Sequence, residues 1–198
     1  VERDPKALAI VDGAVRLTYD AWYAKISSLV AAFDDLGLKA DDHLITVLQN
    51  RWEAATIHWA CQFAGIIVTP LNWRAKEDEI DFGIRDAEGR AIVFQDLTAE
   101  TVSKAKAAQS LPRIGIHAPA ASALDFADLV GAKAADAIPR ANADAWSLML
   151  YTSGTTSRPK GVPRRHRAER IAAVAHVAQN LYRHGECTLG VMPLYHTM

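Results

Sequence analysis

The most constraining feature of this sequence is the alternation of short apolar runs with longer segments of helical periodicity. Residues 66–69 and 91–94 are almost entirely apolar, as expected of strands buried on both faces of a sheet. Residues 20–36 carry their apolar side chains at a spacing close to 3.6, and residues 76–87 form an acidic amphipathic segment. This alternation predicts an α/β fold in which helices cover both faces of a mainly parallel sheet.

Local signals place the remaining elements. Asp12 and Gly13 predict a tight hairpin turn, Thr18 predicts the cap of the first helix, and Gly37 predicts its end. Further strands are predicted at 43–48, 114–116, 147–151 and 189–192, and further helices at 98–109 and 166–183. Two more helices are predicted. The first is capped by Asn50 and ends at 64, and the second is capped by Ser122 with Asp125 and ends at 130. Residues 131–144 are predicted to form a surface connection.

Composition excludes several classes of protein. Lys and Arg number 22 against 23 Asp and Glu, so the net charge gives no reason to expect nucleic-acid binding. No apolar run approaches the ~18 residues of a membrane-spanning helix, and residues 1–5 lack the apolar core of a signal peptide. We therefore expect a cytoplasmic protein. Cys61 and Cys187 are the only cysteines, which excludes a disulfide framework or a four-cysteine zinc site.

One segment, residues 151–162, carries the residue types that bind phosphate, and we call residues 152–160 of it the phosphate loop. It follows a predicted strand and is predicted to lead into a helix. Its small residues let backbone N–H groups approach a ligand, its hydroxyls can donate to phosphate oxygens, and Lys160 can neutralise their charge. The pattern is not a Walker A loop, because Gly161 rather than Ser or Thr follows the lysine. The alternative is a hydroxyl-rich surface turn without a ligand.

The phosphate loop resembles the signature loop of the adenylate-forming superfamily, which includes acyl-CoA synthetases, peptide-synthetase adenylation domains and luciferases. Other segments resemble the family in the same order, and they are 17–19, 37–42, 64–72 with Arg74, Glu79, Ile80 and Asp86, 162–167 and 192–196. The last of these is similar to the family's Pro-Leu-aromatic-His motif. The resemblance implies that residues 1–198 are the N-terminal portion of an adenylation domain, without the C-terminal lid domain.

The resemblance also implies an activity and a set of substrates. A carboxylate attacks the α-phosphate of ATP to give an acyl-adenylate and pyrophosphate, and the thiol of coenzyme A then displaces AMP. ATP, Mg²⁺, coenzyme A and a small carboxylic acid are the expected ligands. The 198 residues alone are expected to be inactive, and exposed apolar surface is expected to favour a homodimer. The alternatives are a non-catalytic nucleotide-binding module and a domain that binds nothing tightly.

The same resemblance assigns candidate site residues. It implies that the β- and γ-phosphates of ATP contact Thr152, Ser153, Gly154, Thr155, Thr156 and Lys160. Thr152 is also the candidate ligand of Mg²⁺, and His196 is the candidate catalytic residue beside the acyl carboxylate and the thiol tunnel. His166 and Glu169 have the spacing of half a metal site, but without further ligands a solvated helix start explains them better.

Overall fold

A two-stranded hairpin and a long helix begin the structure. In the computed structural model, which describes residues 2–118, 120–122, 124–152 and 159–196, strands β1 (Leu8–Asp12) and β2 (Val15–Thr18) pair antiparallel. Gly13 in the turn has a φ of +54°. Helix α1 (Tyr19–Asp35) follows at once, and the Thr18 hydroxyl accepts a hydrogen bond from the Ala21 N–H at 3.4 Å. The predicted hairpin and the Thr18 cap are confirmed.

Seven further strands form one sheet. They are β3 (His43–Val47), β4 (Ile67–Pro70), β5 (Ala91–Gln95), β6 (Arg113–Ile116), β7 (Leu124–Asp125), β8 (Trp146–Thr152) and β9 (Lys160–Arg165). Their spatial order is β7-β6-β5-β3-β4-β8-β9. All neighbours pair in parallel except β8 and β9, which are antiparallel. The predicted mainly parallel sheet is therefore confirmed.

Helices cover both faces of this sheet. They are α2 (Trp52–Ala64), α3 (Glu77–Asp86), α4 (Asp96–Lys104), α5 (Phe126–Gly131) and α6 (His166–Asn180), with a short 3₁₀ helix at Ala107–Ser110. Along β3, Leu44 packs with side chains of α1, α2 and α5, whereas its neighbour Ile45 packs with those of α3 and α4. Consecutive strand residues thus face two separate hydrophobic cores, which explains why the strands are apolar at nearly every position.

The order of the strands creates a crevice at one edge of the sheet. β3 and β4 are neighbours, but α2 after β3 lies on one face and α3 after β4 lies on the other. The two chain segments therefore diverge at the carboxyl ends of these strands. In open α/β sheets, ligands bind at such a switch point.

Several predicted elements differ from the structure. The helix predicted at 98–109 is α4, which ends at Lys104, followed by the separate 3₁₀ helix. α2 begins at Trp52 rather than after an Asn50 cap, and the Trp52 N–H donates to the Asp12 carboxylate at 2.9 Å. Residues 189–192 are irregular instead of forming a strand. Residues 160–165 form β9, which the sequence did not predict, and α6 then begins at the predicted His166. Pro163 fits there because β9 pairs only with β8 within the described chain, and proline is tolerated at a sheet edge.

Candidate active site at the carboxyl edge of the sheet

The parallel strands bring predicted site residues to one edge of the sheet. Thr152 is the last residue of β8, and β8 runs parallel to β4, which ends at Pro70. The carboxyl ends of β3, β4 and β8 therefore lie side by side. This places Thr152 beside the crevice between β3 and β4, where a doubly wound sheet binds its ligand.

The phosphate loop joins two antiparallel strands. Thr152 and Lys160 lie directly opposite each other in the β8–β9 ladder, so the loop between them closes a hairpin. The helix begins at His166 as predicted, but the unpredicted strand β9 lies between it and the loop. Thr152 is half-buried and Lys160 is exposed. Ser153, Gly154, Thr155 and Thr156 lie outside the described residues.

Tyr151, which immediately precedes the phosphate loop, contacts helix α3. The Tyr151 hydroxyl donates a hydrogen bond to the Asp86 carboxylate at 2.7 Å, and its ring meets the Phe82 ring edge-on at 6.1 Å between centroids. Burial, reinforced by the bond to Asp86, raises the pKa of Tyr151 well above its usual value. Tyr151 is therefore a neutral hydrogen-bond donor that fixes the start of the phosphate loop.

Packing explains the glycine after the lysine. Gly161 lies opposite Tyr151 in the ladder, and a Cβ atom built on it would lie 2.5 Å from the Met149 sulfur. A side chain at this position would force the Met149 side chain to move or β9 to separate from β8. Gly161 thus allows the close approach of the strand that carries Lys160.

Two adjacent cavities open at this edge of the sheet. The first, of about 530 Å³, lies on the α3 face and includes Thr152 and Pro159 in its lining. The second, of about 340 Å³, lies between β3, β4, β8, α2 and α6. Both are also lined by Pro70, Tyr195 and His196. The structure therefore brings together Thr152 and His196, which are 44 positions apart in the sequence numbering.

Asn50, which the sequence predicted as the cap of α2, instead holds the segment that carries His196. Asn50 follows β3, and its amide donates to the Met192 carbonyl at 2.6 Å. Its carbonyl oxygen accepts from the Leu194 N–H at 2.8 Å. These bonds join residues more than 140 positions apart, so no local signal in the sequence could have revealed them.

The second cavity contains a small group of ionisable side chains. Arg164 from β9 pairs with Glu169 from α6, and His58 from α2 lies in the same lining. Burial lowers the pKa of His58, while the negative charge of Glu169 partly opposes this effect. Among the described residues, His166 has a buried ring nitrogen, Nε2, without a hydrogen-bond partner. The described part of the chain contains no cluster of three or more His, Cys, Asp or Glu side chains able to hold a metal.

Comparison with known proteins identifies the family. The model of the AMP-binding enzyme family matches residues 1–198, so the chain belongs to that family. Feruloyl-CoA synthase of an Amycolatopsis species is 29% identical over 194 residues, which cover 97% of this chain and 37% of that protein. 4-Hydroxybutyrate–CoA ligase 2 of Metallosphaera sedula is 24% identical, covering 95% of this chain and 36% of that protein. The chain thus spans little more than a third of the length of these relatives.

Solved structures confirm the fold. Apo MatB from Rhodopseudomonas palustris superimposes with a TM-score of 0.83 at 23% identity, covering 97% of this chain and 38% of that one. The N-terminal domain of FACL13 from Mycobacterium tuberculosis gives a TM-score of 0.79 at 22% identity, covering 89% of this chain and 45% of that one. At these identities the likeness establishes the α/β fold alone. None of the helices in the described ranges combines the length and apolarity needed to cross a bilayer.

Proposed function

We propose that the protein to which these residues belong activates a carboxylic acid with ATP and transfers the acyl group to coenzyme A. The carboxylate oxygen would attack the α-phosphorus and release pyrophosphate, and the coenzyme A thiolate would then attack the acyl carbon and release AMP. The observation that carries the proposal is that Thr152 and His196 line one cavity at the sheet edge of an AMP-binding enzyme. Curated relatives named as acid–CoA ligases support it.

The residues that line the cavity suggest separate roles in phosphate binding and in carboxylate binding. Oriented donors and a cation stabilise the charge that develops on leaving pyrophosphate. The phosphate loop would supply these donors and this cation. Thr152 and Lys160 lie at its two ends, and between them are Ser153, Gly154, Thr155 and Thr156. His196, an exposed residue that lines the same cavity, would contact the acyl carboxylate.

Mg²⁺ fits this arrangement as an ion carried by ATP. It usually keeps several waters and takes one or two protein oxygens together with substrate phosphates. The Thr152 hydroxyl, at the edge of the cavity, is one such oxygen. The ion would neutralise phosphate charge when bound, and Thr152 would contribute by fixing where the phosphates lie.

The same proposal includes the domain to which the chain belongs, its small-molecule partners and its location. We place residues 1–198 in the N-terminal portion of an adenylation domain, which the match to the N-terminal domain of FACL13 supports. A small carboxylic acid, ATP and coenzyme A are the proposed partners, and a cytoplasmic location follows from the proposed use of ATP and coenzyme A. A homodimer remains a prediction.

Pyrophosphate exchange tests the proposal directly. The protein containing this chain is incubated with ATP, labelled pyrophosphate and one acid at a time, drawn from the classes named in its relatives: hydroxybutyrate, ferulate, 4-chlorobenzoate and a long-chain fatty acid. We expect exchange that depends on one class of acid, and release of AMP when coenzyme A is added. ATP binding without exchange for any acid would favour a non-catalytic nucleotide-binding module instead.

A further inference from the structure

The segment that carries His196 has little regular structure to hold it. Residues 184–196 contain no helix or strand, and Leu189, Val191 and Leu194 are exposed. Within the segment, the described backbone hydrogen bonds are local, such as that from the His196 N–H to the Pro193 carbonyl at 3.0 Å. Local turns alone do not fix a segment relative to a sheet. Something outside the segment must therefore determine where His196 lies.

Asn50 supplies the missing attachment. Its side-chain amide donates to Met192 and, more weakly at 3.4 Å, to the Gly190 carbonyl, while its oxygen accepts from Leu194. One carboxamide thus satisfies backbone groups on both sides of Pro193. The last of these groups lies two residues before His196. This pairing of one donor and one acceptor group fixes both the position and the direction of the segment.

Asn50 is itself held rigidly by the sheet. On its N-terminal side, the Gln49 N–H donates to the Gln95 side-chain oxygen at 2.8 Å, and the Gln95 amide returns a bond to the Gln49 side chain at 3.0 Å. On its C-terminal side, the Trp52 N–H is bonded to Asp12. The backbone on both sides of Asn50 is therefore fixed, although its side chain is exposed and bonds only to the 190–194 segment among the described residues. A side chain on a fixed backbone can position another element more precisely than one on a loop.

We propose that Asn50 is a positioning residue that places His196 at the carboxyl edge of the sheet, a role that rests on the proposed function. Asn50 lines neither of the two cavities that His196 lines, so it acts through the segment at 190–194. Reacting groups must be placed within fractions of an ångström, and a misplacement of about 1 Å can cost about 100-fold in rate. The chemical step, rather than ATP binding, should therefore depend on Asn50.

The test combines hydrogen exchange with kinetics in the protein containing this chain. In Asn50→Ala we expect the amide of Leu194 to exchange about five- to tenfold faster, since one hydrogen bond is lost. We expect kcat for adenylation to fall about 10- to 100-fold, with the KM for ATP unchanged. Asn50→Asp, which keeps an acceptor for Leu194 but loses the donor to Met192, should also reduce kcat. Asn180→Ala is the matched control, because in the described part of the chain that amide bonds to His176 within α6 and to no other residue.

The outcomes separate this inference from the function on which it rests. Unchanged exchange at 190–196 in Asn50→Ala would overturn it, as would faster exchange spread equally over the whole protein. A rise in the KM for ATP in step with the fall in kcat would also overturn it. If the unaltered protein adenylates no acid, the proposed function fails, and the exchange comparison alone decides whether Asn50 holds the segment.

Discussion

Lys160 is the charged residue on which the phosphate-binding proposal depends most. It is exposed at the end of the phosphate loop, opposite Thr152. A hydrogen bond to a charged group contributes about 1.5–3 kcal/mol, so Lys160→Ala should slow adenylation about 10- to 150-fold. Release of AMP from a supplied acyl-adenylate should change much less, because pyrophosphate has already left. Both half-reactions are measured on the intact protein.

A matched control and two contrary outcomes complete this test. Lys133→Ala removes an exposed lysine from the connection at 131–144 and should leave both half-reactions unchanged. Equal losses in the two half-reactions of Lys160→Ala would indicate a general role in the fold. Full activity in both would indicate that the loop is only a hydroxyl-rich surface turn.

His58 is expected to make the stability of the fold depend on pH. Burial lowers its pKa in the folded state below the usual 6.5, whereas the unfolded chain keeps that value. As pH falls below 6.5, the unfolded chain takes up a proton that the folded chain does not, so stability decreases. The decrease is at most about 1.4 kcal/mol per pH unit for one histidine. His58→Gln should lower the slope of the unfolding free energy between pH 7.5 and 5.

Urea unfolding at several pH values measures this slope. His184→Gln alters an exposed histidine and serves as the control. His43 and His166 also have pKa values lowered chiefly by burial, so a reduced slope should remain in His58→Gln. A slope identical to that of the unaltered chain would show that His58 is not the group responsible.

At the scale of elements, the β8–β9 hairpin depends on a close approach at Gly161. A Cβ atom there would lie 2.5 Å from the Met149 sulfur, so the half-buried Met149 side chain must move or the strands must separate. Gly161→Ala should therefore destabilise the fold by about 1 kcal/mol, the lower end of the cost of overpacking, because a methionine side chain is flexible. Gly190→Ala, where a Cβ would meet nothing within 4 Å, is the matched control. Thermal unfolding of the two variants measures the difference, and equal melting temperatures would contradict the prediction.

Elements specified by local signals could be predicted from the sequence, and those specified by distant contacts could not. α1 was placed within one residue at each end, because Thr18 caps it and Gly37, with a φ of +76°, ends it. β9 was missed, because only pairing with β8 makes residues 160–165 a strand. The site divides in the same way. The motif pointed to Thr152, whose role in the site stays a prediction, whereas the contacts of Asn50 join positions more than 140 residues apart.

At the scale of the whole molecule, the sheet is covered less completely beside β8 and β9 than elsewhere. The faces packed by α1, α2 and α5 and by α3 and α4 each contain a buried core. α6, by contrast, contacts β8 and β9 but contains no buried residue. Its apolar side chains Ile171, Val174 and Val177 are 66%, 60% and 48% exposed. Their spacing of three places them along one side of the helix, which makes a continuous apolar stripe.

An exposed apolar stripe of this kind favours self-association. We therefore expect the 198-residue polypeptide to form dimers or larger species as its concentration rises, with α6 in the contact. Val174→Lys introduces a charge in the middle of the stripe and should shift the polypeptide toward the monomer. Val11→Lys, at an exposed position of β1, should not. Light scattering across a concentration series distinguishes these cases. A monomer at every concentration would contradict the prediction, and an equal effect of both substitutions would place the contact outside α6.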